Sequence, residues 1–242
     1  MPSSLPPLGH NEQTRPANLV LAAVSAEEYE GFRGLLEPYP LRMRETLEEA
    51  GDMPGYVYFP TSGIISVLTV LESGMMIEFA TVGREGTTAV PVFLGTGASN
   101  MALISQLPGE ALRMRSDDFL TEIDRSPGLT AIIKRYSGMM LALVAQSAAC
   151  NRAHHVDERC ARWLLMTHDQ AGDEAFPITQ EFLAQMLGVS RPSVALSAAS
   201  LQRAGLISYH RGEMTIEDRL GLEKAACECY AVAREHFLRL QD

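Results

Sequence analysis

Several things are missing from this 242-residue chain, and each absence removes a class of function. Its start has no basic stretch followed by an apolar core of signal-peptide length, and residues 1–17 read as a loose tail rich in Pro, Ser and Gly. The most apolar run, Met139 to Cys150, is about a dozen residues long and is broken by Gln146, against the roughly 20 a membrane span requires. A soluble, cytoplasmic chain with no membrane partner is therefore expected. The four cysteines, Cys150, Cys160, Cys227 and Cys229, lie in helix-like sequence without the spacing of a secreted disulfide framework. No histidine falls in the β-like region described below; the six are His10, His154, His155, His168, His210 and His236. Metal-dependent enzymes built on β-rolls use several strand histidines, so the pattern argues against an enzyme. Net positive charge is lacking too. At −10 the chain is unsuited to indiscriminate nucleic-acid binding, and where its cations sit matters more than the total.

What is present falls into two parts. From Pro40 to about Arg115, short β-branched and apolar runs alternate with turn residues: Val57–Phe59, Ile64–Val70, Met76–Val82, Val90–Leu94 and Ala102–Leu107. Runs this short at this spacing fit a jelly-roll-like β-roll better than a parallel α/β sheet. A helical segment, Ala26 to Leu36, precedes it. From Ser116 the periodicity turns helical, with Asp117 and Asp118 suited to a first turn and Ser126-Pro127 marking a second start. Ile132, Tyr136, Met139, Leu143, Gln146 and Cys150 then step by fours and threes, a heptad seam of about two and a half repeats. Such a seam is expected to belong to a dimer helix linking the two domains, a helix packed on its own domain being the plainer reading. His154 and His155 follow at a joint where a hinge is possible.

Phe176 to Ile216 carries the most specific local signal. Thr179 can cap a helix whose core face is Phe182, Leu183, Met186 and Leu187; Gly188 tolerates the positive φ that stops it. Ser190 caps a second helix with Pro192 in its first turn. Val194 and Leu201 point inward, leaving Arg191, Ser193, Leu196 and Ser197 outside. The pattern is a helix-turn-helix whose second helix enters the major groove leading with its N-terminus. Leu206–Tyr209, Arg211-Gly212 and Met214–Ile216 read as a hairpin wing. Within Phe176–Gly212 the charges are Arg191, Arg203 and Arg211 against Glu181, so the motif is locally basic in an acidic protein. Arg191 has the donor fork that matches guanine O6 and N7, with a phosphate contact or a surface ion pair as its plainer use. The DNA-facing set is thus Thr179, Gln180, Ser190, Arg191, Pro192, Ser193, Leu196, Ser197 and Arg211.

Five stretches together resemble the Crp/Fnr regulators: Val57-Tyr58-Phe59-Pro60-Thr61-Ser62-Gly63, Val82-Gly83-Arg84-Glu85-Gly86, Arg159-Cys160-Ala161-Arg162-Trp163-Leu164-Leu165, Leu183-Ala184-Gln185-Met186-Leu187-Gly188-Val189-Ser190-Arg191, and Leu201-Gln202-Arg203-Ala204-Gly205-Leu206-Ile207. The resemblance implies an α+β chain: a cyclic-nucleotide-binding-like β-roll over 18–125, a dimerisation helix over 126–153, and a winged helix-turn-helix over 154–242. It also implies a homodimer on a palindromic promoter site in double-stranded DNA, with RNA polymerase as a further partner. The other reading, from a different class, is a sensory or protein-interaction module whose winged helix contacts protein.

Departures from the family pattern shape these expectations. Pro192 stands where the family's reading helix commonly has an acid, and Leu196 where it has a second Arg, so the preferred DNA sequence should differ. Cyclic-AMP-binding members hold ribose and phosphate with a Gly-Glu pair and an Arg. The matching stretch, Gly86-Thr87-Thr88 through Asn100, has neither the acid nor an Arg, and Val144 and Ala145 stand where hydroxyls would meet the base. No cyclic-AMP binding is expected, and no effector is identified. Oxygen-sensing members bind an iron–sulfur cluster through N-terminal cysteines; this chain has none before Cys150. Cys227 and Cys229, two apart in a helix expected over 218–240, should point to opposite faces and serve core packing rather than one metal. Cys150 could pair with its twin across a dimer, or be an inert buried thiol. No cofactor and no metal are expected.

Overall fold

The computed structural model describes residues 16–172 and 175–239; most of the expected N-terminal tail lies outside them. It is the expected α+β arrangement, a β-roll, a long helix and a C-terminal helix-turn-helix. Two short helices, α1 (Leu19–Ala22) and α2 (Ala26–Phe32), lead into β1 (Glu37–Leu41), β2 (Thr46–Glu48), β3 (Tyr56–Pro60), β4 (Ile64–Val70) and β5 (Met76–Val82). After α3 (Val90–Phe93) come β6 (Met101–Leu107) and β7 (Gly109–Arg115). The strands form two antiparallel sheets, ordered β1-β7-β3 and β2-β6-β4-β5. Val90–Leu94, expected as a strand, is helical. Pro91 sits in its first turn, where its missing N–H costs nothing, whereas in a sheet interior it would break the ladder.

Strand β4 explains how the two halves of the chain meet. Its alternate residues Ile65 and Val67 enter the core inside the roll, together with Val57, Phe59, Val82 and Met114. Ile64 and Leu68, on the opposite face, join Leu107 in a second core made with the C-terminal helices. Both faces of this sheet are covered, so β4 reads as a near-continuous apolar run rather than an alternating one.

Helix α4 (Ser116–Arg125) starts where the acidic turn indicated, though Arg115 occupies the cap position. Helix α5 (Pro127–Ala153) is capped by the Ser126 side chain, which accepts from Leu129 N–H, with Pro127 at its first position. At 27 residues α5 is long and apolar enough to cross a membrane by length and composition alone, further than the dozen-residue stretch expected. Its buried residues, among them Leu129, Ile133, Tyr136, Met140 and Leu143, lie in the core of the roll.

Four of the six residues of the expected dimer seam are turned into their own chain. Tyr136, Met139, Leu143 and Cys150 are buried within their own chain, and Ile132 packs on the same core. Gln146 donates to Cys229 Sγ at 3.0 Å. The opposite face of the helix carries Ala131, Lys134, Gly138, Leu141, Ala145, Ala148 and Arg152, all exposed and spaced by threes and fours. A single helix offers more than one stripe at heptad spacing, and the β-roll covers the bulkier one.

Helix α6 (Val156–Ala171) follows a two-residue joint at His154 and His155. Beyond it come β8 (Phe176–Pro177), α7 (Gln180–Leu187), α8 (Arg191–Arg203), β9 (Ile207–His210), β10 (Glu213–Ile216), α9 (Arg219–Ala225) and α10 (Cys229–Arg239). The single helix expected over 218–240 is broken between Ala225 and Cys229, with Cys227 in the break.

Candidate nucleic-acid interface

The helix-turn-helix is assembled from local rules. Thr179 Oγ1 accepts from Phe182 N–H and starts α7. Phe182, Leu183, Met186 and Leu187 are buried, and Gly188 closes the helix in the left-handed region at φ 62°. Ser190 Oγ accepts from Ser193 N–H and starts α8. Val194 and Leu201 anchor α8 in the second core, and Ala198 is buried between them in sequence. Hairpin β9–β10 pairs Ile207 with Ile216 and turns at Arg211 and Gly212, both at positive φ, the pair of values a two-residue type I′ turn requires. Strand β8 adds a third strand through Phe176 and Met214.

One end of this assembly is open. Ser190, Arg191 and Pro192 are exposed at the leading end of α8, Leu196 is 73% exposed one turn on, and Arg211 is exposed at the tip of the wing. Ser193 is half-buried and bonds Ser190 through its hydroxyl at 2.8 Å. Thr179 and Gln180 are half-buried at the start of α7. Ser197, expected outside, is 2% exposed and hydrogen-bonds the Asp157 carboxylate of α6. Four residues along from Ser193, it lies on the stripe that α6 covers.

Sequence reasoning passed over several residues that set this geometry. Buried Arg159 of α6 donates from Nη2 to the Leu187 carbonyl, supplying a cation and a donor to the last turn of α7. Arg44, itself at φ 61° in the β1–β2 turn, donates to Thr179 Oγ1 at 2.9 Å and lies over the Phe182 ring. Trp163 Nε1 donates to Glu78 Oε1 at 2.7 Å; Ser66 Oγ donates to the other Glu78 oxygen at 2.6 Å. Gln106 Nε2 donates to Thr167 Oγ1 at 3.0 Å. The helix-turn-helix is thus docked on the outer face of the β4–β5–β6 sheet through apolar contacts and a buried polar network. Withdrawal from water pushes the Glu78 carboxyl up to about 7, against the pull of its two hydrogen bonds. Arg159 and Trp163 belong to a stretch already singled out, which was the only sequence signal for them.

The stretch that departs from the cyclic-nucleotide pattern is closed at its start and exposed from Leu94 to Ala98. Gly86 to Ala89 is buried; Thr87 Oγ1 donates to the Tyr58 carbonyl, and Tyr58 N–H donates to Thr88 Oγ1, each at 2.9 Å. Tyr136 from α5 presses its hydroxyl against Gly86, where a Cβ would collide with it.

Residues 158–225 match the model of the Crp-like helix-turn-helix domain. No curated protein matches. Among solved structures, a putative transcriptional regulator of the Crp/Fnr family from Eubacterium rectale superposes with a TM-score of 0.68 at 16% identity, covering 84% of this chain and 94% of that one. FixK2 from Bradyrhizobium japonicum gives 0.67 at 12% identity, covering 79% and 98%. The c-di-GMP-responsive global regulator CLP from Xanthomonas campestris gives 0.62 at 17%, covering 79% and 99%. At these identities the likeness is one of fold, and it spans nearly the whole of each neighbour. The chain carries a Crp-like helix-turn-helix domain on the fold of the Crp/Fnr transcription regulators.

Proposed function

We propose that the chain is a sequence-specific DNA-binding transcription regulator that acts as a homodimer on a palindromic promoter site, with one α8 per subunit in the major groove. The observation that carries this is the exposed Arg191 guanidinium at the leading end of α8, flanked by Arg211 on the wing. A guanidinium there reaches base edges, while the wing cation is suited to phosphate. DNA-facing roles go to Ser190, Arg191, Pro192, Ser193, Leu196 and Arg211, with Thr179 and Gln180 at the edge of the groove; Ser197 is withdrawn from the set. Two copies meeting along the exposed stripe of α5, centred on Leu141, would present two reading helices at half-sites about one helical turn apart. The units would be the roll to residue 125, α5 to 153, and the DNA-binding domain beyond. Regulation in the cytoplasm through contact with RNA polymerase, without catalysis, completes the reading.

The test is a promoter-fragment binding assay across a salt series. Arg191→Ala should weaken cognate binding by about 1–3 kcal/mol, roughly 5- to 150-fold, and relax specificity at one base pair. Wild-type affinity should fall steeply as salt rises. Unchanged affinity in the variant, or binding indifferent to salt, would favour a module whose winged helix contacts protein. The effector is not cyclic AMP in this reading: Thr87 and Thr88 are both engaged with the Tyr58 backbone, and residues 86–100 include no Lys or Arg to compensate a phosphate. Calorimetry with cyclic AMP and cyclic GMP should register no binding; a tight isotherm would overturn this part of the proposal.

A further inference from the structure

The break between α9 and α10 brings together residues the sequence keeps far apart. Cys150 and His154 lie at the last turn and cap of α5, one helical turn apart and on one face. Cys227 sits in the break and Cys229 at the first position of α10. Because the helix is interrupted here, the two side chains do not diverge as an i, i+2 pair in a helix would, which corrects the expectation that they are poor partners for one metal. Cys150 Sγ lies 3.5 Å from Cys227 Sγ, and Cys229 Sγ lies 3.6 Å from His154 Nδ1. All four ligand atoms fall within 4.8 Å of one another.

We propose that Cys150, His154, Cys227 and Cys229 form a closed Cys3His site for a single divalent ion of the zinc class. Zinc bonds of about 2.3 Å to sulfur and 2.0 Å to nitrogen at tetrahedral angles place ligand atoms roughly 3.5–3.8 Å apart, the separation seen here for two independent pairs. Three thiolates and an imidazole are a soft, borderline set that favours zinc over magnesium or calcium. With four protein ligands no position is left for water, so the site holds structure rather than performing chemistry.

The surroundings complete it. His154 directs Nδ1 inward while Nε2 lies 3.1 Å from Glu228 Oε2, the outer carboxylate that commonly fixes a ligand histidine's tautomer and orientation. Gln146 Nε2 donates to Cys229 Sγ at 3.0 Å, an N–H···S bond that suits a thiolate. Three thiolates with one divalent ion leave a net negative charge. Arg162 acts electrostatically on Cys150, Cys150 and Cys227 act on Arg159, and each arginine has a buried Nε without a hydrogen-bond partner among the described residues. The three cysteines are at most 5% exposed, and together they form a small buried cluster of their own. The ion would clamp α10 to the joint between α5 and α6. Cys150 is turned toward Cys227 of its own chain, so it is not placed to pair with its twin in a second copy.

The full-length chain, purified under reducing conditions, stripped of metal and titrated with Co²⁺, tests the site. One ion per chain should bind, giving thiolate-to-cobalt charge-transfer and tetrahedral d–d absorption that Zn²⁺ bleaches stoichiometrically. Cys227→Ser should abolish the spectrum, while Cys160→Ser, outside the cluster, should leave it intact. Glu228→Gln should lower zinc affinity about 10- to 100-fold without moving the unfolding midpoint of the metal-free protein, which keeps the test valid should Cys227→Ser misfold. Substoichiometric uptake without tetrahedral bands would overturn the proposal. So would a Glu228→Gln variant with unchanged affinity.

Discussion

Gly188→Ala separates two demands that meet at one position. Gly188 ends α7 at φ 62°, and a Cβ placed there would stand 3.2, 3.3 and 3.5 Å from Cγ2, Cγ1 and Cδ1 of Ile77 on β5. Left-handed backbone costs an L-residue about 1–2 kcal/mol wherever it occurs. The contact with Ile77 adds a second cost, roughly 0.5–1 kcal/mol, since the isoleucine must give by a few tenths of an ångström in a close-packed interface. Urea unfolding at 25 °C should therefore show Gly188→Ala destabilised by about 1.5–3 kcal/mol. Ile77→Ala supplies the control. In the double variant the backbone cost persists while the steric one disappears, so the two substitutions should couple by about 0.5–1 kcal/mol. Strict additivity would refute the reasoning: α7 would then not rest on β5, and the docking of the DNA-binding half against the sheet would be wrong.

Two further outcomes follow from named residues. Leu141 is 71% exposed on the free stripe of α5, so Leu141→Glu should leave the unfolding midpoint of the monomer nearly unchanged while weakening self-association by at least about 3 kcal/mol, read by sedimentation equilibrium. A variant that dimerises like wild type would place the interface elsewhere. Glu78 titrates near 7 in the folded protein against the usual 4.5, so the stability it contributes is complete below about 4.5 and is lost as pH rises through 7. Glu78→Gln, which keeps an acceptor for Trp163, should therefore gain on wild type in urea unfolding at pH 8.5 and gain little at pH 5; a gap of constant size would contradict this.

Local chemistry made much of the DNA-binding half legible. Thr179, Gly188 and Ser190 each obey rules that concern a residue and its next few neighbours: a side chain that caps, or a backbone that tolerates positive φ. The strands Ile64–Val70 and Met76–Val82 were equally plain, because β-branched runs bounded by Gly and Pro need no distant partner to be recognised. Val90–Leu94 has the apolar run of a strand, but Pro91 cannot donate within a sheet interior; the prolines that do lie in strands, Pro38, Pro40 and Pro60, are on the edge strands β1 and β3.

Three matters were decided by tertiary structure alone. Periodicity established that α5 has a seam, but two stripes on the same helix satisfy heptad spacing, and only the fit of Tyr136 and Leu143 into the roll determined which one turns inward. Ser197 repeats the lesson on α8, where the position of α6 makes an outward-looking hydroxyl a buried partner of Asp157. The convergence of Cys150 and His154 with Cys227 and Cys229 had no sequence signature, since it depends on a helix break and on two segments of distant numbering being packed side by side. Turn and cap preferences are short-range and can be read from neighbours along the chain; the choice of buried face and the meeting of remote side chains are settled by the shape of what packs against them.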